Sequence, residues 1–266
     1  MRSALAREAR YLATAFSLLT RLPVPGLAGF EESWLARSAA YFPLVGLAVG
    51  LVAAAAWLGA RLFWPPPVAA VAALAAAAWM TGGLHEDGWA DLFDGLAASR
   101  DRSRERMLAA MKDSRIGATG ALALVLLLLA KLAALLALPV AEVPRSLLVA
   151  HVLSRWTILP LLWRLPYVRP EGGMARPLAG QVRGGRVVTG SVLALLATAG
   201  LFATASRPAL PAAIAAITAL VAAGLAAAAA GLLFRRRLGG ITGDCLGATQ
   251  QLAEAVVLLA LAARGA

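Results

Sequence analysis

The stretch that decides the fold runs Ala118-Thr119-Gly120-Ala121-Leu122-Ala123-Leu124-Val125-Leu126-Leu127-Leu128-Leu129-Ala130 and continues to Leu138, with Lys131 as its one charged residue. A helix needs about 20 mostly apolar residues to cross a bilayer, because its backbone groups must bond within the segment. With Ile116 and Gly117 at its head, this stretch has that length. Working outward, six more apolar stretches appear, at 38–60, 68–84, 146–163, 187–205, 209–233 and 249–263. The one at 68–84 and the last are short for the task. Pro65-Pro66-Pro67 separates the first two, since prolines lack the amide donor a helix uses.

Composition agrees. Of 266 residues, 61% are hydrophobic and 15% charged, with a mean hydropathy of +0.76. A soluble domain holds about 45–50% apolar and about 25% charged residues. A water-soluble globule, a disordered chain and a disulfide scaffold are all excluded, and the lone Cys245 leaves the redox compartment undetermined. The expected fold is all-α: one integral membrane domain over 1–266 with about seven transmembrane helices. Residues 1–30 differ, mixing Arg7, Glu8 and Arg10 with Leu12, Phe16, Leu18 and Leu19. They read as an amphipathic helix on the membrane surface, and no convincing cleavage site makes them a signal peptide.

Charge orients the spans. The net charge is +11, but the basic residues lie in short groups between apolar stretches. A nucleic-acid partner, which needs a basic face or run, is not expected. With the N-terminus inside, successive segments carry five, one, six, one, five, one, three and one basic residues, and Lys131 and Arg155 fall within spans. The positive-inside rule makes the rich loops cytoplasmic: 81–115, 164–186 and 235–248. The expected location is the cell (inner or plasma) membrane, multi-pass and in contact with lipid, with the N-terminus and the chemistry on the cytoplasmic side.

Twelve of the fourteen acidic residues share that side; Glu142 and Glu254 do not. The densest group is His85-Glu86-Asp87-Gly88-Trp89-Ala90-Asp91-Leu92-Phe93-Asp94-Gly95. Asp87, Asp91 and Asp94 follow one another by four and three, so a helix projects them from one face. Asp101 and Glu105 extend the stripe, while Trp89, Leu92, Phe93 and Leu96 take the other side. This predicts a helix leaving the second span and lying along the membrane. Such a stripe can be an ordinary wet face, but a wet face beside the cytoplasmic leaflet is normally basic. Three aspartates a turn apart also repel one another and favour a cation. All-oxygen ligands suit Mg²⁺ rather than Zn²⁺. Gly83, Gly88 and Gly95 weaken a helix yet allow close approach of a backbone or a phosphate.

Three further groups follow. In Met111-Lys112-Asp113-Ser114-Arg115-Ile116-Gly117, Lys112 and Arg115 either hold phosphates, with helix-start amides near Gly117, or merely flank a span. Gly239-Gly240-Ile241-Thr242-Gly243-Asp244-Cys245 is a glycine loop with one carboxylate, which serves as a metal or substrate contact or simply as a turn. The preceding Arg235–Arg237 run reads as a topology anchor, and Cys245 as packing. Within the fourth span, Arg155 and His151 lie one turn apart. An intramembrane charge faces a cavity or a partner, so Arg155 reads as a pocket residue or part of an ion pair. Lys131 and Glu254 can pair across spans, with Gln250 and Gln251 in the same group.

Taken together, these pieces resemble the cobalamin synthase family, the adenosylcobinamide-GDP ribazoletransferases. The likeness rests on Leu19-Thr20-Arg21-Leu22-Pro23-Val24-Pro25, Tyr41-Phe42-Pro43-Leu44-Val45-Gly46, the His85–Gly95 run, Met111–Gly120 and Gly240-Ile241-Thr242-Gly243-Asp244 with Leu246-Gly247-Ala248. The 164–186 loop, with Glu171-Gly172-Gly173-Met174-Ala175-Arg176, fits the family loosely. The resemblance implies a Mg²⁺-dependent reaction in which α-ribazole or its 5′-phosphate attacks the cobinamide-attached phosphate of adenosylcobinamide-GDP. Cobalamin or its phosphate forms and GMP leaves; self-association is left open. Phosphoryl transfer is mainly positioning and charge neutralisation, so carboxylates and basic side chains suffice. On this reading Asp87, Asp91 and Asp94 hold the metal, and Glu86 or Asp244 supports them or acts as base. Lys112, Arg115 and Arg155 steady phosphate oxygens, and His85, Asp113, Gly240, Thr242 and Gly243 complete the substrate site. Asp91–Ala98 also satisfies the D-x-x-D-G-x-x-A opening of CDP-alcohol phosphotransferases, without their later acidic pattern. A transporter using Lys131, Arg155 and Glu254 is the alternative from another class.

Overall fold

In a computed structural model, residues 2–24, 31–169, 171–173, 175–203 and 209–263 are described. Pro25 and the rest of the N-terminal segment to Phe30 lie outside them, as do Met174, Arg207 and Arg264. The described elements are helices: α1 (Arg2–Leu19), α2 (Ser33–Ser38), α3 (Phe42–Arg61), α4 (Pro66–Thr81), α5 (Leu84–Ala98), α6 (Arg104–Ala110), α7 (Ala118–Ala137), α8 (Val143–Trp156), α9 (Ile158–Arg164), α10 (Gly184–Ala203), α11 (Ala209–Arg237) and α12 (Gly243–Ala262). Among the described residues there is no strand, only an isolated bridge between Tyr167 and Ile241.

Six helical stretches are long and apolar enough to cross a membrane: Ser33–Arg61, Ala118–Ala137, Val140–Arg164, Gly184–Ala203, Ala209–Arg237 and Gly243–Ala262. The short second stretch becomes α4, which with α5 forms a pair bent by 91°. Gly82 and Gly83 make the bend at φ 70° and 74°, a left-handed conformation that glycine adopts without a steric penalty. Among the described residues each of the seven expected stretches overlaps a helix, and the protein is a multi-pass, all-α membrane protein. The last helix starts at Gly243, earlier than the sequence suggested, because Thr242 caps it by accepting from the Cys245 amide at 3.3 Å.

The exterior is apolar. Leu122, Val125, Leu126 and Leu129 of α7 and Ile217, Val221 and Leu225 of α11 are exposed. Without a hydrophobic force between helices in lipid, small residues bring backbones together. A Cβ added to Gly46 of α3 would lie 2.2 Å from the His151 carbonyl oxygen of α8, and one at Gly50 would lie 2.8 Å from Leu148 Cα. In α11, Ala219, Ala222, Ala223, Ala226 and Ala230 are buried. At one end, α1 buries Tyr11, Thr14 and Ala15, and the Arg21 amide just beyond it donates to the Met80 carbonyl at 2.9 Å. The N-terminal helix is thus tied to the bundle by one face.

The interior holds a polar network. Lys131 Nζ donates to Glu254 Oε1 at 2.7 Å and to Gln251 Oε1. Glu254 Oε2 accepts from Gln250 Nε2 at 2.8 Å and lies 3.4 Å from His151 Nδ1. Arg155 is 1% exposed; its guanidinium meets His151 Nδ1 at 3.0 Å and donates to the His151 carbonyl at 3.3 Å. The expected Lys131–Glu254 pair is present. Arg155, assigned to phosphate binding from the sequence, is enclosed in this network instead.

Candidate active site

Loops from distant parts of the chain meet at one end of the bundle. Ile241 donates its amide to the Pro166 carbonyl at 2.9 Å, and Val168 donates to the Ile241 carbonyl at 3.1 Å. Arg169 Nη2 donates to the Met111 carbonyl at 3.0 Å and to Asp244 Oδ2 at 2.5 Å. Arg237 Nη2 reaches the Ser99 carbonyl and hydroxyl, both at 2.7 Å. The segments around Ser99 and Met111, Pro166–Arg169 and Arg237–Asp244 are thereby joined.

Gly88 and Gly95 of α5 admit neighbouring parts of the protein rather than a ligand. A Cβ on Gly88 would lie 2.8 Å from the Asp244 carbonyl oxygen and 2.9 Å from its Cα, and one on Gly95 would meet Met107 and Met111. Close approach at Gly88 sets the start of α12 on α5 and puts Asp244 beside the acidic face. Asp91 there is within electrostatic reach of Asp244, Asp87 and Asp94, with Arg169 as the opposing cation. A cavity of about 280 Å³ opens on this group, lined by His85, Asp87, Tyr167, Arg169 and Asp244 among apolar side chains that include Phe42 and Leu178. A neighbouring cavity of about 740 Å³ is lined by Glu86, Arg21 and Gly83, and Asp87 borders both. Gly243 edges the smaller one.

The structure redistributes several assignments. Asp94 turns both oxygens to the start of α7, accepting from the Gly117 and Gly120 amides at 2.7 Å each. It caps a helix, so those amides hold a carboxylate of the protein and not a phosphate. Asp101 and Glu105 do not continue the α5 stripe, because α5 stops at Ala98 and Arg102 turns the chain at φ 63°. Asp101 instead pairs with Arg106 at 3.2 Å. Gly240 packs on Pro166 and Val168, where a Cβ would come within 2.2 Å of the Pro166 carbonyl oxygen. Thr242 is a fully buried cap. The sequence suggests both as substrate contacts; in the structure Gly240 packs and Thr242 caps α12. Lys112 is exposed and 3.4 Å from Glu171. Arg115 is exposed and paired with Asp113 at 2.8 Å, which holds the Asp113 carboxyl down at about 2. The Glu171 carboxyl is lowered by its own backbone amide and by Lys112, and burial pushes the Tyr167 hydroxyl up.

Glu86 accepts from Gln251 Nε2 at 2.9 Å through Oε1, while its buried Oε2 has no partner. His85 is 2% exposed with both ring nitrogens unpartnered. Arg169 and Gln251 were not singled out as site residues from sequence. Arg169 sits in the loop that fits the family loosely, and only the position of Gln251 opposite Lys131 on a neighbouring helix reveals its reach. Among the described residues, no three histidine, cysteine or acidic side chains converge tightly enough to hold a metal alone. The donor chemistry nonetheless fits Mg²⁺, which takes one or two carboxylates and completes its shell with water and substrate phosphates.

The family model described as cobalamin-5-phosphate synthase matches residues 11–262. A protein of Leptothrix cholodnii named adenosylcobinamide-GDP ribazoletransferase is 43% identical, over 97% of this chain and 96% of its own. Proteins of the same name from Ralstonia nicotianae and Escherichia coli are 42% and 38% identical, covering 99% and 92% of this chain and 98% and 96% of theirs. No solved structure matches. With nearly its whole length matched, the chain belongs to the cobalamin-5-phosphate synthase family.

Proposed function

We propose that this protein is an adenosylcobinamide-GDP ribazoletransferase. It joins the cobinamide-attached phosphate of adenosylcobinamide-GDP to α-ribazole or its 5′-phosphate, giving adenosylcobalamin or its phosphate and releasing GMP. The observation that carries the reading is the convergence of Asp87, Asp244 and Arg169 on one cavity mouth, with Asp91 within electrostatic reach of all three. A substrate with a diphosphate bridge needs cationic neutralisation and little covalent help. Asp87 and Asp91 would hold Mg²⁺, with Asp244 beside them, and the bound ion would supply charge neutralisation for the substrate's phosphate oxygens. Arg169 holds Asp244 in place and adds positive charge at the mouth. Glu86, fixed at Oε1 by Gln251, takes the nucleophile's hydroxyl proton at Oε2 once the bound substrate opens access to that buried oxygen. The P–O bond to cobinamide phosphate forms as the bond to GMP breaks. The arginine-rich end is the cytoplasmic one, a reading supported by the alternation of basic loops. The transporter alternative loses its basis, since Lys131, Arg155 and Glu254 are buried and bonded among themselves or to their neighbours.

Membranes containing the chain, given adenosylcobinamide-GDP and each ribazole form with Mg²⁺, should release GMP and form a corrinoid product. A chelator should stop this, and excess Mg²⁺ should restore it. Absence of corrinoid product from both ribazole forms would overturn the assignment. Turnover that survives chelation would overturn the metal role alone.

A further inference from the structure

A separate cavity of about 620 Å³ lies away from the acidic cluster, lined by Arg37, Arg176, Arg183, Arg186, Ser33 and Gln181, with Glu32 at its edge. Two of its arginines are fixed by neighbours. Arg186 donates to Glu8 at 2.7 and 3.0 Å, and the Tyr41 hydroxyl holds the same carboxylate at 2.6 Å. Arg37 donates to the Tyr11 hydroxyl at 2.7 Å. Arg176 and Arg183 are exposed and have no carboxylate partner among the described residues. None of the remaining residues of the chain is acidic. Four guanidinium groups are thus set against Glu8, Glu32 and Glu31, whose Oε2 accepts from the lining Ser33 at 3.2 Å, so the cavity keeps a net positive charge.

Its place in the fold points to what neutralises it. Ser33 and Arg37 open the membrane-crossing stretch Ser33–Arg61, while Arg183 and Arg186 flank the first residue of Gly184–Ala203. The cavity lies where two apolar helices begin, and headgroups surround the ends of helices that span a bilayer. Forked guanidinium donors match phosphate oxygens geometrically, and basic pockets between spanning helices suit anionic headgroups. We propose that this cavity is a phosphate site occupied by the headgroup of an anionic phospholipid, distinct from the acidic site and independent of the reaction assigned there. A soluble phosphate ester offers the same chemistry, and the experiment separates the two sources.

The full chain in neutral detergent is titrated with short-chain phosphatidylglycerol, short-chain phosphatidylcholine or glycerol phosphate, and its melting temperature is followed. Phosphatidylglycerol should raise it, and phosphatidylcholine should not. Each arginine near an anionic group is worth roughly fivefold, so Arg176→Gln with Arg183→Gln should weaken the apparent affinity roughly 30-fold. Arg176→Lys with Arg183→Lys should retain most of it. The exposed pair Arg100→Gln with Arg235→Gln removes equal charge elsewhere and should bind as the parent does. Glycerol phosphate reproducing the full effect, with the same loss in the Arg176/Arg183 variant, would overturn the lipid source and keep the phosphate site. No stabilisation by either phosphate, or stabilisation that the glutamine pair leaves intact, would overturn the site. An unchanged melting temperature of each variant without ligand guards against misfolding.

Discussion

Asp91 and Asp94 are three residues apart on α5 and have opposite duties. Asp91 is crowded by Asp87 and Asp244, whereas Asp94 accepts two α7 amides. Asp91→Asn relieves like-charge repulsion, so the fold should melt at or above the parent temperature while GMP release falls by a factor on the order of 10³. Asp94→Ala leaves two amides without an acceptor and should lower stability by about 2 kcal/mol or more. Thermal melts beside a turnover assay check both, and loss of stability in Asp91→Asn with activity retained would reverse the two roles. The spacing that put these carboxylates on one face was legible in the sequence. Their division was not, because a helical register says nothing about which neighbouring helix end lies opposite.

The packing of α5 on α12 is the element that builds the site. Gly88→Ala places a Cβ against the Asp244 backbone, which cannot yield as a side-chain tip would. The helices must part, at a cost of about 1–3 kcal/mol, and activity should drop with stability because Asp244 moves too. Gly59→Ala in α3 meets nothing within 4 Å and should be neutral or gain up to ~1 kcal/mol from helix propensity. Unfolding in mixed micelles distinguishes the two, and equal effects would refute the contact. Hydropathy made the long helices readable, since lipid imposes length and apolarity on each one separately. The tie from Arg169 to Asp244 and the packing of Gly240 on Pro166 join segments some 75 residues apart, and no local pattern encodes them.

At the scale of the whole molecule, Lys131 and Glu254 join α7 to α12 inside the apolar layer. Lys131→Met alone strands a buried carboxylate and should cost about 3–5 kcal/mol, whereas Lys131→Met with Glu254→Gln should recover much of that. Additive losses in a double-mutant cycle would deny the coupling. Orientation is open to labelling because the native Cys245 is buried. Cysteine at Phe63 should react with a membrane-impermeant thiol reagent in intact cells, and cysteine at Glu105 only after permeabilisation. The reverse pattern would invert the topology.

Gln251 donates to Glu86 on one side and accepts from Lys131 on the other. The proposed proton acceptor is therefore moored to a cation that only a dry interior keeps in place. Any solubilising agent that lets water reach Lys131 slackens this mooring before a helix unwinds. Turnover should then fade in harsh micelles while circular dichroism stays unchanged, and return when the protein is put back into a bilayer.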